Sequence, residues 1–289
     1  MLKGSIVALI TPFKDDSLDE ENYIKLIDYH LKNGTNGIVP GGTTGESPTL
    51  SHNEHKKIIE ISVKECNSKI PVIAGTGSNS TDEAVELSKF AEKAGSDALL
   101  VVTPYYNKPT QEGLYQHYKK ISDNVGIPIL IYNIPSRSVI DMTVETMTKL
   151  YELKNIIGVK DATGDLERVG LQKKSMGNDF IQLTGNDDNA LEFNKLGGVG
   201  AIGVTANIAA KLSSDFQNAC VNDKNKAFEL NKILQPLHAA MFIESNPSPV
   251  KYAASLLKMC SPSVRLPLVE VRDITKKKIS EALKVAKIL

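Results

Sequence analysis

The chain has 289 residues, of which 41% are hydrophobic, and its 34 basic and 34 acidic side chains leave no formal net charge. That composition supplies a sizeable core and argues against disorder. The even charge balance leaves no electrostatic footprint for nucleic acid or an anionic membrane, and no apolar run approaches a membrane span.

The apolar patch at residues 6–10 is too short for a signal-peptide core and lacks a cleavage site. The three cysteines, Cys66, Cys220 and Cys260, fall in no paired motif. They read as reduced thiols of a cytoplasmic protein, packed as small hydrophobes. The basic run Lys276-Lys277-Lys278 sits among apolar residues at helical spacing and reads as a solvated helix face.

Short apolar runs recur along the chain at residues 5–10, 37–40, 71–74, 98–102, 128–132, 156–160, 181–184 and 200–204. Between them lie amphipathic stretches such as 20–32, 54–66, 82–94 and 143–153. Three of these open on helix N-cap types: Asp19 or Ser17, Ser51, and Thr81. Eight strands alternating with helices predict a parallel α/β sheet, and their count and length fit a closed (β/α)₈ TIM barrel. A doubly wound sheet would prefer a Gly-rich phosphate turn after the first strand, which Ile10-Thr11-Pro12-Phe13 does not provide. Beyond residue 222 the strand signal fades. Residues 222–242, 249–259 and 269–289 read as helices, giving a catalytic barrel at 1–222 and a small helical C-terminal domain at 223–289.

Several strand ends carry groups suited to chemistry, and a barrel gathers them at one mouth. Gly41-Gly42-Thr43-Thr44-Gly45-Glu46-Ser47 lets backbone approach a ligand and offers amides to a carboxylate or phosphate. An ordinary Gly-rich turn is the simpler reading of that segment alone. His52 and His55 form an HxxH pattern near the next helix start, but no third ligand is apparent, so no metal site is predicted. Tyr105 and Tyr106, in a proline-bounded loop, have the character of interface residues. Tyr132 ends the fifth strand, and Arg137 in the following loop has the planar fork that suits a carboxylate.

Lys160 ends the sixth strand, Ile156-Ile157-Gly158-Val159-Lys160, before a Gly/Asp-rich turn. Burial disfavours an ammonium there, so desolvation favours the neutral amine, a nucleophile toward carbonyls. The alternatives are an ion pair with Asp161 or Asp165, or a side chain that snorkels to solvent. Adjacent strands would bring the Tyr132 phenol and the Lys160 amine within reach, as proton transfer during imine formation requires.

In combination, the segments 42–47, 105–109, 132–137 and 158–161 resemble the dihydrodipicolinate synthase family of pyruvate-dependent class I aldolases, over essentially the whole chain. The resemblance implies that Lys160 forms a Schiff base with pyruvate. Thr43, Tyr132 and Tyr106 would relay protons, Tyr106 reaching in from a neighbouring subunit. It also implies that the Thr43–Thr44 turn holds the pyruvate carboxylate and Arg137 that of L-aspartate 4-semialdehyde, with the backbones of Gly185 and Ile202 lining the pocket. The implied reaction opens the diaminopimelate/lysine pathway and uses no metal or other cofactor, since the iminium is the electron sink. Lysine is the implied feedback inhibitor, bound by Ser47, His52, His55, Asn79, Glu83 and Tyr105. Pro48 departs from the small residue expected there and stiffens that turn. A homo-oligomer is implied, a tetramer built as a dimer of dimers. Relatives such as N-acetylneuraminate lyase and the keto-deoxy sugar-acid aldolases share the Lys and Tyr, but Arg137 favours a substrate with a second carboxylate.

Overall fold

The computed structural model describes residues 2–289. Eight strands form one parallel sheet: β1 Gly4–Ala8, β2 Gly37–Val39, β3 Ile73–Gly75, β4 Ala98–Val102, β5 Ile129–Asn133, β6 Ile156–Asp161, β7 Ile181–Thr184 and β8 Gly200–Gly203. Their order runs β2-β1-β8-β7-β6-β5-β4-β3, and a parallel bridge between Ile38 and Val72 joins the two ends. The result is a nearly closed TIM barrel. A two-strand hairpin, Phe13–Lys14 with Ser17–Leu18, follows β1.

Apolar runs become strands here because both faces of a barrel strand are covered. Ile6, Val39, Leu100, Leu130, Leu183 and Ile202 pack inside the barrel. Alternate residues such as Val101, Ile131 and Val159 pack outward against the helices. Asp19 caps the helix Glu20–Lys32 through the Asn22 amide, and Ser51 with Glu54 closes a capping box on His52–Cys66. Thr81 does not cap its helix. The N-cap is Ser80, without a side-chain cap bond, and the Thr81 hydroxyl pairs with His117 Nδ1 at 2.9 Å. With hydroxyls at both positions, the tertiary partner decides which is drawn inward.

After the helix Ala210–Asn222 come Lys224–Met241, Ser248–Leu256 and Asp273–Val285. Leu237, Met241, Ala253 and Leu283 share one apolar cluster with Val7, Leu9 and Phe13. The C-terminal helices are therefore fastened to the first strand and its loop through a common core. Cys66 and Cys260 lie in that cluster, and burial pushes their thiols up to about 12 and about 11. No helix among the described residues is long and apolar enough to cross a membrane.

Candidate active site

A cavity of about 700 Å³ opens where the carboxyl ends of the strands meet the C-terminal helices, within the range typical of small-molecule sites. Lys160 and Tyr132 stand on it as register partners of β6 and β5. Lys160 is 6% exposed, and its Nζ lies 4.2 Å from the centroid of the Tyr132 ring.

Strand alternation sends Asp161 to the opposite face. There Asp161 Oδ2 accepts from Arg168 Nε and from Gln172 Nε2, each at 3.0 Å, and Oδ1 accepts from the Thr163 hydroxyl at 2.6 Å. Asp165 accepts from the Glu167 amide. Both candidate partners are thus engaged elsewhere, and Lys160 has no ion pair among the described residues. Gly185 makes room for the lysine, since a Cβ there would stand 3.0 Å from Lys160 Cε and 2.7 Å from Ala162 Cβ.

Thr43 and Thr44 line the same cavity from the loop after β2. That loop begins at Gly41, whose φ of +66° favours glycine and whose added Cβ would meet His55 Nε2 at 2.4 Å. It ends at Glu46, a residue in left-handed conformation whose carboxylate is buried. Lys251 Nζ donates to Glu46 Oε1 at 2.6 Å, and the Arg265 amide donates to Oε2 at 3.0 Å. Asn246 Nδ2 donates to Thr44 Oγ1 at 3.0 Å, while its carbonyl accepts from Arg137 Nη2 at 3.2 Å. The C-terminal segment thereby braces the threonine loop and the arginine together.

Thr43, Thr44, Tyr132, Arg137, Lys160 and Gly185 all line the cavity. Ile202 is fully buried in the barrel interior, in the same cluster as Tyr132 and Leu183. Tyr106 is outside its own cavity, 87% exposed, with φ +74°. Several of the residues matched to a lysine site converge on a second spot. His52 Nε2 lies 2.9 Å from Glu83 Oε1, which shares its carboxylate with the Ser78 hydroxyl. His55 Nε2 bonds the Gly75 carbonyl at 2.7 Å, and the Asn79 carbonyl accepts from Asn107 Nδ2 at 2.8 Å. Burial, with Glu83 nearby, pushes the Tyr105 phenol above its usual range. Ser47 opens the turn Ser47–Thr49, its amide bonded to the Gly42 carbonyl.

Sequence reasoning missed one side of the cavity. Gln235, His238, Ala239, Phe242 and Ser245 line it from the helix Lys224–Met241 and the segment that follows, and Asp188 lines it after β7. His238 bonds the Thr205 hydroxyl through Nδ1 at 2.7 Å, and burial holds its imidazole below the ordinary range. Helical periodicity shows this stretch to be a helix without showing what its covered face meets.

The profile of the Dihydrodipicolinate synthetase family matches residues 1–286. A 4-hydroxy-tetrahydrodipicolinate synthase from Pelagibacter ubique is 69% identical, covering 100% of both chains. The structure of a dihydrodipicolinate synthase from Acinetobacter baumannii complexed with pyruvate has a TM-score of 0.98 at 44% identity over 100% of each chain. One from Cyanidioschyzon merolae with lysine bound has 0.96 at 34% identity over 99% of each. With its barrel and its Lys160–Tyr132 pair at the mouth, the chain belongs to the dihydrodipicolinate synthetase family.

Proposed function

We propose that the protein condenses pyruvate with L-aspartate 4-semialdehyde to 4-hydroxy-tetrahydrodipicolinate and water, the first committed step toward diaminopimelate and lysine. The observation that carries this reading is the Lys160 amine against the Tyr132 ring, in a cavity that also holds Arg137. The Lys160 amine adds to the C2 carbonyl of pyruvate, and the carbinolamine loses water to give an iminium. The iminium acidifies the methyl group, which loses a proton to form an enamine. The enamine carbon then bonds to the aldehyde carbon, whose oxygen takes a proton. Finally the amine of the second substrate displaces Lys160 from C2, closing the ring and freeing the enzyme.

Within this reading Tyr132 and Thr43 move the protons, and Thr44 beside Thr43 holds the pyruvate carboxylate. Tyr106, exposed on its own protomer, completes the relay from a neighbouring subunit, in a tetramer built as a dimer of dimers. Arg137 receives the semialdehyde carboxylate, and Gly185 and Ile202 shape the floor. Residues 1–222 act as the catalytic barrel and 223–289 as the helical domain that closes its mouth. The group around His52 and Glu83 binds lysine as an inhibitor. The enzyme works in the cytoplasm, where its free cysteines stay reduced.

Borohydride reduction of the enzyme with pyruvate tests the reading directly. A single adduct mapped by mass spectrometry to Lys160 supports it; an adduct elsewhere, or none, overturns it. Pyruvate consumption with aspartate semialdehyde but not with N-acetylmannosamine fixes the second substrate.

A further inference from the structure

The semialdehyde brings three polar ends into the cavity: an aldehyde, a carboxylate and an α-ammonium. The proposed function gives the first to the enamine carbon and the second to Arg137; the nitrogen acts only in the final ring closure and has no partner while the substrate binds. Among the residues lining the cavity there is one carboxylate, that of Asp188. Asp188 is exposed at the mouth, and its side chain makes no hydrogen bond or ion pair among the described residues. Its neighbour Asp187 is occupied, with Oδ2 accepting from the Val204 and Thr205 amides at 2.7 and 2.9 Å.

The position of Asp188 is fixed from the C-terminal side. Gln235 Nε2 donates to the Asp188 carbonyl at 2.8 Å and to Asn231 Oδ1 at 3.2 Å, tying this short turn to the long helix. The turn Asp187–Asn189 follows directly on β7 and Gly185, the glycine against Lys160. The lining thus offers the Arg137 guanidinium, the Lys160 amine and one free carboxylate, facing a pyruvate anion and a zwitterion. An unpaired carboxylate at the rim of a concave site draws an ammonium toward the mouth and orients it as the substrate enters.

We propose that Asp188 is a specificity-determining residue that receives the α-ammonium of the semialdehyde and so distinguishes amino from non-amino aldehydes. The inference rests on the condensation proposed above. It is tested with Asp188→Asn and Asp188→Glu, comparing L-aspartate 4-semialdehyde with 4-oxobutanoate, which has the same aldehyde and carboxylate but no amine.

Asp188→Asn is expected to raise the KM for the amino aldehyde about tenfold, as for loss of one charged hydrogen bond. Inhibition by 4-oxobutanoate and the rate of borohydride-trapped pyruvate adduct should stay within about twofold, and Asp188→Glu should restore most of the selectivity. An unchanged KM, or equal weakening of both aldehydes, overturns the assignment to Asp188. Absence of any pyruvate adduct in the unsubstituted enzyme would instead overturn the underlying reaction, so the two failures are distinguishable.

Discussion

Glu46 and Lys251, 205 positions apart in sequence, form an ion pair of 2.6 Å with both side chains shut off from solvent. The pair joins the loop that presents Thr43 and Thr44 to the helix Ser248–Leu256. Phe13 covers it, its ring centroid 4.1 Å from Lys251 Nζ. Burial pulls the Lys251 ammonium below its usual range, and Glu46 opposes that pull. Removing one partner leaves the other charge buried and uncompensated. Lys251→Met should therefore destabilise the fold by about 3–5 kcal/mol and raise the pyruvate KM by loosening the threonine loop. Adding Glu46→Gln should recover part of the stability. Urea unfolding of the single and double variants decides; a single variant as stable as the parent removes the brace.

Gly185 offers a sharper test of lysine placement. Gly185→Ala sets a methyl 3.0 Å from Lys160 Cε and 2.7 Å from Ala162 Cβ. Displacing the amine by a fraction of an ångström should slow adduct formation about a hundredfold. Far-ultraviolet circular dichroism should be unaltered. Single-turnover trapping with pyruvate measures the effect, and an unchanged trapping rate would show that the lysine does not depend on this gap.

Arg137→Ala should raise the KM for the semialdehyde far more than that for pyruvate. The side chain also bonds the Asn246 carbonyl at 3.2 Å, so a modest loss of stability accompanies the kinetic effect. Equal effects on the two substrates would remove Arg137 from its role at the second carboxylate.

His30 sets an acid limit on stability. Its ring is fully buried, Nδ1 lies 2.9 Å from the Thr35 hydroxyl, and burial lowers its pKa from 6.5 to about 3. The unfolded chain takes up a proton below pH 6.5 that the folded chain refuses until about 3. This contribution is fully present above pH 6.5 and is lost as pH falls toward 3. Between pH 6.5 and about 5 the loss amounts to about 2 kcal/mol. Burial lowers His117 to about 4, which adds to the slope. Urea midpoints across pH 5–7 measure it, and a flat profile would contradict buried neutral imidazoles.

Millimolar lysine should inhibit the enzyme, and Glu83→Gln should raise the concentration for half inhibition about tenfold by weakening the hold on an ammonium. Initial rates across a lysine titration give both numbers. Activity untouched by lysine would leave the group around His52 and Glu83 without a ligand.

The barrel was legible because its buried strands are continuous apolar runs, and β4 and β7 begin and end where the hydrophobic pattern does. Tyr132 beside Lys160 was legible too, since consecutive βα units place consecutive strand ends side by side. The Glu46–Lys251 pair was not, because nothing in either local sequence encodes a partner 205 residues away. Gln235, His238 and Phe242 were hidden for a related reason. A helix pattern shows which face is covered but not that the cover is a cavity wall. Thr81 illustrates a smaller ambiguity, where two neighbouring hydroxyl residues compete for one cap and His117 takes one of them.

Order of synthesis gives the two-part construction of the cavity a temporal meaning. All eight strands, with Lys160, Tyr132 and Arg137, leave the ribosome before Gln235, Asn246 and Lys251. A nascent or truncated chain ending soon after β8 would carry Lys160 without the wall and brace that close the cavity around it. The cavity is therefore among the last features the chain completes, and a stop before Gln235 would leave Lys160 without its facing wall and the core around Val7, Leu9 and Phe13 without part of its cover.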